Sequence, residues 1–391
     1  MNKNLLQDKK VAIVGGGPGG LILAGLLQLS GCEVKVYERD ESQRSRVQGA
    51  IVDLHFESGL KAIQAAGLTE AFKKRYMVGA DKFRLADPGG TILIDEERTT
   101  SGPDFSDEHF RPEIDRGALR DLIIDILKPG TMVWDSHLIN LEPVGGGWTL
   151  HFKSGKTADA DLVIGADGYR SLIRPYLTGI KALYSGATII QGEIDQPEKD
   201  CPEMYEMVDQ ANLMVMGGGS TLVVQPRGDG GLTFYAISMY PENWITDCGV
   251  DFKKPVAVRE YLQKHYKDWN PVFFTLFQSC HHFTPRPLNY FPFDQQWDTM
   301  PNLTILGDAA HLMPPNGEGV NLAMLDALDL NDCLTSGKYE NLYDAINAYE
   351  KLMLGRSSVL CRESVEGIAD FAAPSADSID GYLEIFNNRP K

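Results

Sequence analysis

The sequence predicts an α/β fold in which a parallel nucleotide-binding sheet is interrupted by an antiparallel sheet and closed by a helical bridge. Three observations predict it. Short apolar strands run into glycine-bearing turns near residues 11, 161 and 303, the texture of a sheet buried on both faces. Between Ala187 and Met239 the texture changes to alternating runs divided by Gly- and Pro-bearing turns, as in an antiparallel sheet. From Leu342 onward, Leu342, Ile346, Tyr349 and Met353 recur at helical spacing, which fits a helix bracing two domains.

A chain of 391 residues exceeds one ordinary core, so several subdomains are expected. The formal net charge of −17 opposes nucleic acid and anionic membranes as partners. The cysteines at 32, 201, 248, 280, 333 and 361 form no CxxC pair and read as reduced thiols. His281 and His282 are neighbours that diverge on regular structure, so no metal site is expected. The residues ahead of Val11 leave no room for a signal peptide, and Leu21 to Leu29 is too short to span a bilayer. A cytoplasmic protein without stable membrane association follows, a monomer with a dimer left open.

In chain order, Val11 to Val14, a helix from Leu21 to Ser30 and a strand from Glu33 to Tyr37 form a doubly wound opening. Leu60 to Lys74 and Arg116 to Leu127 read as amphipathic helices, and Pro88 to Pro112 as turns and short strands. Met132 to Trp134, Trp148 to Lys153, Asp161 to Ile164 and Leu303 to Leu306 read as strands. The expected divisions are a Rossmann-like domain of 1–75, 105–178 and 286–335, a substrate domain of 76–104 and 179–285, and a bridging helix of 340–375.

Gly15-Gly16-Gly17-Pro18-Gly19-Gly20 fits GxGxxG between a strand and a helix. Gly15 permits the tight turn, Gly17 lets a pyrophosphate approach the backbone, and Gly20 lets helix and strand close together. The helix N-terminus then faces the phosphates, and Glu38 ends the second strand where a carboxylate can accept ribose hydroxyls. This motif does not separate FAD from NAD. A second strand delivers Asp167 and Gly168 to its carboxyl end; alone, this is also an ordinary turn. In the third junction, Asp308 is placed for ribityl hydroxyls, and Pro314-Pro315-Asn316-Gly317-Glu318-Gly319-Val320-Asn321 leads into a helix. That helix end can donate to the N1/O2 edge of a flavin, favouring its reduced, negatively charged form, while Pro315 lies against the ring.

Together these motifs resemble the class A flavoprotein monooxygenases of the para-hydroxybenzoate hydroxylase type. Within them, VYERD at Val36 to Asp40, DLH at Asp53 to His55, PEIDRGALR at Pro112 to Arg120, WTLHF at Trp148 to Phe152 and GDAAHLMPP at Gly307 to Pro315 resemble the TetX-type tetracycline-inactivating enzymes. The resemblance implies FAD held by Glu38, Arg39, Arg120 and Asp308, with Asp53 and Leu54 near the ring. It also implies a transient NAD(P)H encounter, consistent with the lack of a second GxGxxG. Two departures stand out. Family members usually carry Gln where this chain has Glu318, and the Asp167-Gly168 motif fits the wider hydroxylases better than the TetX type. Gln191 matches a TetX-type polar substrate contact, but Asn212 and Thr233 occupy the places of a basic and an imidazole contact, which puts tetracycline itself in doubt.

The implied chemistry is FAD reduction by NAD(P)H, O2 addition at flavin C4a, and oxygen transfer from the hydroperoxide to a small aromatic, polyketide or tetracycline-like compound. The cofactor carries the reaction, so no catalytic side chain is assigned. His311 reads as either a base or a structural residue. Arg39, Arg44 and Arg46 form a basic cluster, and Arg44 and Arg46 either receive NAD(P)H phosphate or line a solvated loop. Met214, Met216, Phe234 and Tyr235 line either an adaptable pocket or plain sheet core. A flavin-dependent reductase or dehydrogenase without oxygen transfer, and a ligand-sequestering flavoprotein, remain the alternatives.

Overall fold

The structure is a computed structural model that describes residues 5–45, 51–80, 82–96 and 104–387. Its parallel sheet takes the order Leu303–Ile305, Leu162–Gly165, Val11–Val14, Val34–Tyr37, Met132–Val133. Ala12 stands between Val163 on one side and Lys35 on the other, so the chain leaves the first strand in both directions. Val11–Val14, Leu162–Gly165 and Leu303–Ile305 are buried throughout, which is why they are continuous apolar runs. The helices Pro18–Leu29 and Gly319–Thr335 pack against each other. Leu138–Val144, Gly147–Phe152 and Thr157–Ala160 form a separate antiparallel sheet. There Phe152 stacks on Tyr37 at 5.0 Å, and Trp148 Nε1 donates to the Asn302 carbonyl at 3.0 Å.

The second large sheet has seven strands, in the order Phe283–Tyr290, Leu183–Ile194, Leu232–Met239, Ser220–Pro226, Asn212–Gly217, Phe83–Ala86, Ile92–Asp95. One face is sealed by helices: Ile190, Val224 and Phe234 pack with Leu262, Phe273 and Phe277. The last strand runs past the expected boundary at 285 because Ile190 and Ile189 pair with Pro285 and Arg286. Leu60 to Lys74 is not one helix. A π-helical turn at Phe56–Leu60 leads into Lys61–Ala65, and Gly67 at φ 71° reverses the chain before Thr69–Phe72.

The tail crosses from one sheet to the other. Leu342–Glu366 buries Ala345, Ile346, Tyr349 and Met353 in the core of the parallel-sheet domain, and the Tyr349 hydroxyl donates to the Ile305 carbonyl at 3.0 Å. Ile368–Ala372 then packs on Ala187, Ile189 and Ile237 of the seven-stranded sheet. The final helix, Ala376–Asn387, sets Ile379 and Leu383 against Leu85 and Met216. Bridging therefore extends beyond the expected 340–375. Among the described residues, no helix is long and apolar enough to cross a membrane. All six cysteines are free.

One buried carboxylate joins tail and sheet. Asp326 accepts from Gly307 N–H at 2.9 Å and lies 2.6 Å from His311 Nε2, while its other oxygen accepts from Arg356 of the tail helix at 2.7 Å. Burial opposes its charge, but His311, Arg356 and the Gly307 amide hold its pKa below the usual carboxylate range. Asp326→Ala strands these donors in a dry interior, so unfolding in urea should show a loss of about 3–5 kcal/mol; an unchanged midpoint would refute this account.

Candidate active site

Both strand-to-helix junctions open at the carboxyl edge of the parallel sheet. The Gly15 and Gly307 turns follow strands two positions apart in the sheet order, roughly 10 Å by strand spacing, a gap an extended dinucleotide spans. Gly15 has φ 111°, and a Cβ there would lie 2.2 Å from the Ala166 carbonyl oxygen, so only glycine makes this turn. Gly17 differs: a Cβ would meet nothing within 4 Å. Its bareness serves no protein contact and leaves an open cradle at the helix end. Gly20 supplies close approach, with Gly15 oxygen 2.3 Å from its would-be Cβ.

Glu38 is buried at the end of its strand, where it accepts from Gly16 N–H at 2.7 Å and Asp40 N–H at 3.0 Å. Arg120, 2% exposed, donates from Nε to the Gly16 carbonyl at 3.1 Å. Its Nη2 has no hydrogen-bond partner among the described residues and faces Glu38 and Asp40 at 3.7 and 3.5 Å. A buried guanidinium with an unused donor beside a bare glycine cradle fits a diphosphate. Asp167 likewise keeps a buried Oδ1 without a partner among the described residues, while Oδ2 accepts from Leu172 N–H; burial pushes its pKa up. Arg39 is exposed beside Glu38. Arg44 borders a cavity of about 510 Å³ shared with Gln43, Arg75, Asp121 and Asp125; Arg46 lies outside the described residues.

At the other junction, Asp308 is exposed at the start of the turn Asp308–His311. His311 is buried on Asp326, which gives it the structural role. Pro315, Gly317 and Gly319 are exposed, and a Cβ at either glycine would meet nothing within 4 Å. Asn316 ties this loop to the tail through Ser364 Oγ at 2.7 Å. Val320 and Asn321 are buried. The Asn321 amide is taken up by protein: Oδ1 accepts from His55 and Gly59 N–H at 2.9 and 3.2 Å, and Nδ2 donates to the Asp53 carbonyl at 3.0 Å. It sutures the Ile51–Asp53 strand to the helix end. Leu54 is fully buried beside that suture, its N–H on the Pro112 carbonyl at 3.0 Å.

His55 is a residue the sequence reading left without a role. Its Nε2 lies 2.8 Å from Asp53 and its Nδ1 3.2 Å from Glu318. Burial alone would lower its pKa, but hydrogen bonds to both carboxylates and their charge push it up to about 9. The available signal was a histidine two residues after Asp53; its second partner is remote in sequence.

On the seven-stranded sheet, cross-strand register aligns Met214, Val223, Tyr235, Gln191 and Thr284 in one row. Gln191 accepts from Arg286 Nε at 2.6 Å and donates to Glu193 at 3.1 Å. Asn212 donates to Glu113 at 2.6 Å, while its Oδ1 and the buried Thr233 hydroxyl have no partner among the described residues. Burial raises the Tyr235 pKa, with Arg116 and Arg286 pulling the other way. Phe234 does not join this row: it points through the sheet onto Phe277 and Phe283, because neighbours on a strand face opposite ways. Met216 is fully buried beneath the final helix, and Met214 is half-buried.

A family described as an FAD binding domain matches residues 8–84 and 149–337. This chain belongs to that family. Monooxygenase asqM of Emericella nidulans is 28% identical over 381 residues, covering 83% of each chain. The 3-amino-4-hydroxybenzoate 2-monooxygenase PtmB3 of Streptomyces platensis is 25% identical, covering 96% of this chain and 95% of its own. Among solved structures, tetracycline destructase Tet(55) superposes with a TM-score of 0.74 at 19% identity, over 96% of this chain and 94% of its own; that likeness is one of fold. The protein is an FAD-dependent monooxygenase.

Two measurements probe this site. Gly17→Ala should leave the folding free energy within about 0.5 kcal/mol, as for a substitution in open space, yet lose most of the yellow flavin on purification. Gly15→Ala should unfold more readily; equal flavin content in Gly17→Ala and wild type would discredit the cradle. The raised His55 pKa has a further consequence. Because it lies above the ordinary 6.5, the triad's stabilisation is complete below about pH 6.5 and is lost as pH climbs through about 9. The melting temperature of the flavin-free protein should fall across that window, and less steeply in His55→Gln.

Proposed function

We propose that this monooxygenase hydroxylates a small aromatic or polyketide compound held against the Met214–Tyr235–Gln191 row, with NAD(P)H as reductant. The row itself carries the reading. It combines an adaptable thioether, a phenol and an amide on one face, backed by Arg286, the mixture of apolar surface and few polar groups that small-molecule sites use. The relative acting on 3-amino-4-hydroxybenzoate supports an aromatic substrate.

Bound FAD supplies the redox chemistry and the activation of dioxygen. Gly15, Gly17, Arg120 and Glu38 would hold its adenosine diphosphate half, and Asp308 its ribityl chain. Gly317, Gly319 and the helix behind them would receive the ring, with Pro315 at its edge. Tyr235, kept neutral by its raised pKa, donates a hydrogen bond and removes no proton. Arg116 and Arg286 favour a substrate that is already anionic or enolic, which needs no base. The unpaired Asn212 oxygen and Thr233 hydroxyl offer it polar contacts. Arg44, beside Arg75, would receive the phosphate of the nicotinamide cofactor at the cavity they line.

The test is a panel of phenols, polyketides and tetracyclines given to the purified protein with NADPH. Dioxygen should be consumed in step with product, and the product should gain the mass of one oxygen atom. Product formed without oxygen incorporation would make the protein a reductase, and tight ligand binding with no stimulated NADPH oxidation would make it a sequestering flavoprotein.

A further inference from the structure

His55 is fixed between carboxylates that come from separate parts of the chain, Asp53 on a short strand and Glu318 at the mouth of the helix Gly319–Thr335. Its side chain is 13% exposed, and its backbone N–H is held by Asn321. Both ring nitrogens face acceptors, the arrangement that suits a doubly protonated imidazole. The largest charges acting on it are these two carboxylates.

Glu318 poses the problem that this arrangement solves. A helix amino end attracts negative charge through its free N–H groups and dipole. A carboxylate fixed beside that end repels any other anion arriving there, including a reduced flavin. The imidazolium cancels one of the two negative charges, so the cluster carries a net charge of −1 with His55 protonated and −2 without it.

We propose that Asp53, His55 and Glu318 form a charge-setting triad that governs how readily the bound flavin is reduced, with the His55 cation offsetting the carboxylate at the ring-side helix end. The proposal rests on the reading that the flavin ring lies at the amino end of Gly319–Thr335. His55 acts here through charge and position, with no bond made or broken.

The experiment measures the midpoint potential of the FAD-loaded protein by dye equilibration across pH 6 to 10. His55→Gln leaves two uncompensated carboxylates, so its potential should be lower than that of the wild type at neutral pH. Glu318→Gln removes a negative charge, so its potential should be higher. In the wild type, an anionic reduced flavin raises the affinity of His55 for its proton, so reduction takes up an additional proton just above pH 9. The potential should therefore fall more steeply with pH in that window, and His55→Gln should lose this feature. Should His55→Gln fail to load flavin, Glu318→Gln carries the test alone. Potentials equal to the wild type in yellow, folded variants would overturn the triad while leaving the FAD site intact. Failure of the wild type to take up FAD would instead defeat the site reading itself.

Discussion

The carboxylate of Asp326 is the interaction on which the junction of parallel sheet and tail helix depends. It lies in a fully buried position and gathers the Gly307 amide, His311 and Arg356 onto two oxygens. Those partners come from the end of a sheet strand, the turn behind it and the tail helix. The turn that presents Asp308 is thus fixed by a residue one helix away, and the tail is fixed to the same point. A carboxylate this dry is tolerable only because cations and an amide surround it.

Much of the cofactor half was legible in the sequence because its rules are local. A strand buried on both faces has no polar positions, and a glycine that must turn or be approached cannot be replaced. The Gly15 turn, the strand end at Glu38 and the turn at Asp308 were each expected from a few neighbouring residues, and the structure has all three. The helix expected over Leu60 to Lys74 is broken for a local reason as well, since Gly67 takes a left-handed turn. Phe234 and Tyr235 show a different limit. Adjacent residues on a strand cannot share one face, and alternation alone does not say that Phe234 is the one that enters the core under Leu262, Phe273 and Phe277. Of the two readings open for Met216, pocket lining or sheet core, the cover of the chain's own final helix selects the core.

His55 marks where reading along the chain stops. In the sequence, Asp53-Leu54-His55 carries only a family resemblance, and Glu318 stands out only as a departure from glutamine. Neither observation explains the other until the helix end is sutured to the strand through Asn321. The same holds for the row from Met214 to Thr284, which exists only as a register across five strands. Sites assembled from remote segments are recorded in pairing and packing, not in any stretch of sequence.

The parallel sheet has a consequence for how this chain reaches its native state. Leu162–Gly165 must wait for Leu303–Ile305 before its outer edge is covered, and the whole seven-stranded sheet is made largely from the chain between them. An incomplete chain therefore displays an apolar strand edge, the kind of surface on which neighbouring copies stick together. Contacts so distant in sequence also slow folding. Yield in a heterologous host will thus hinge on chaperone capacity and growth temperature more than on the stability of the finished enzyme.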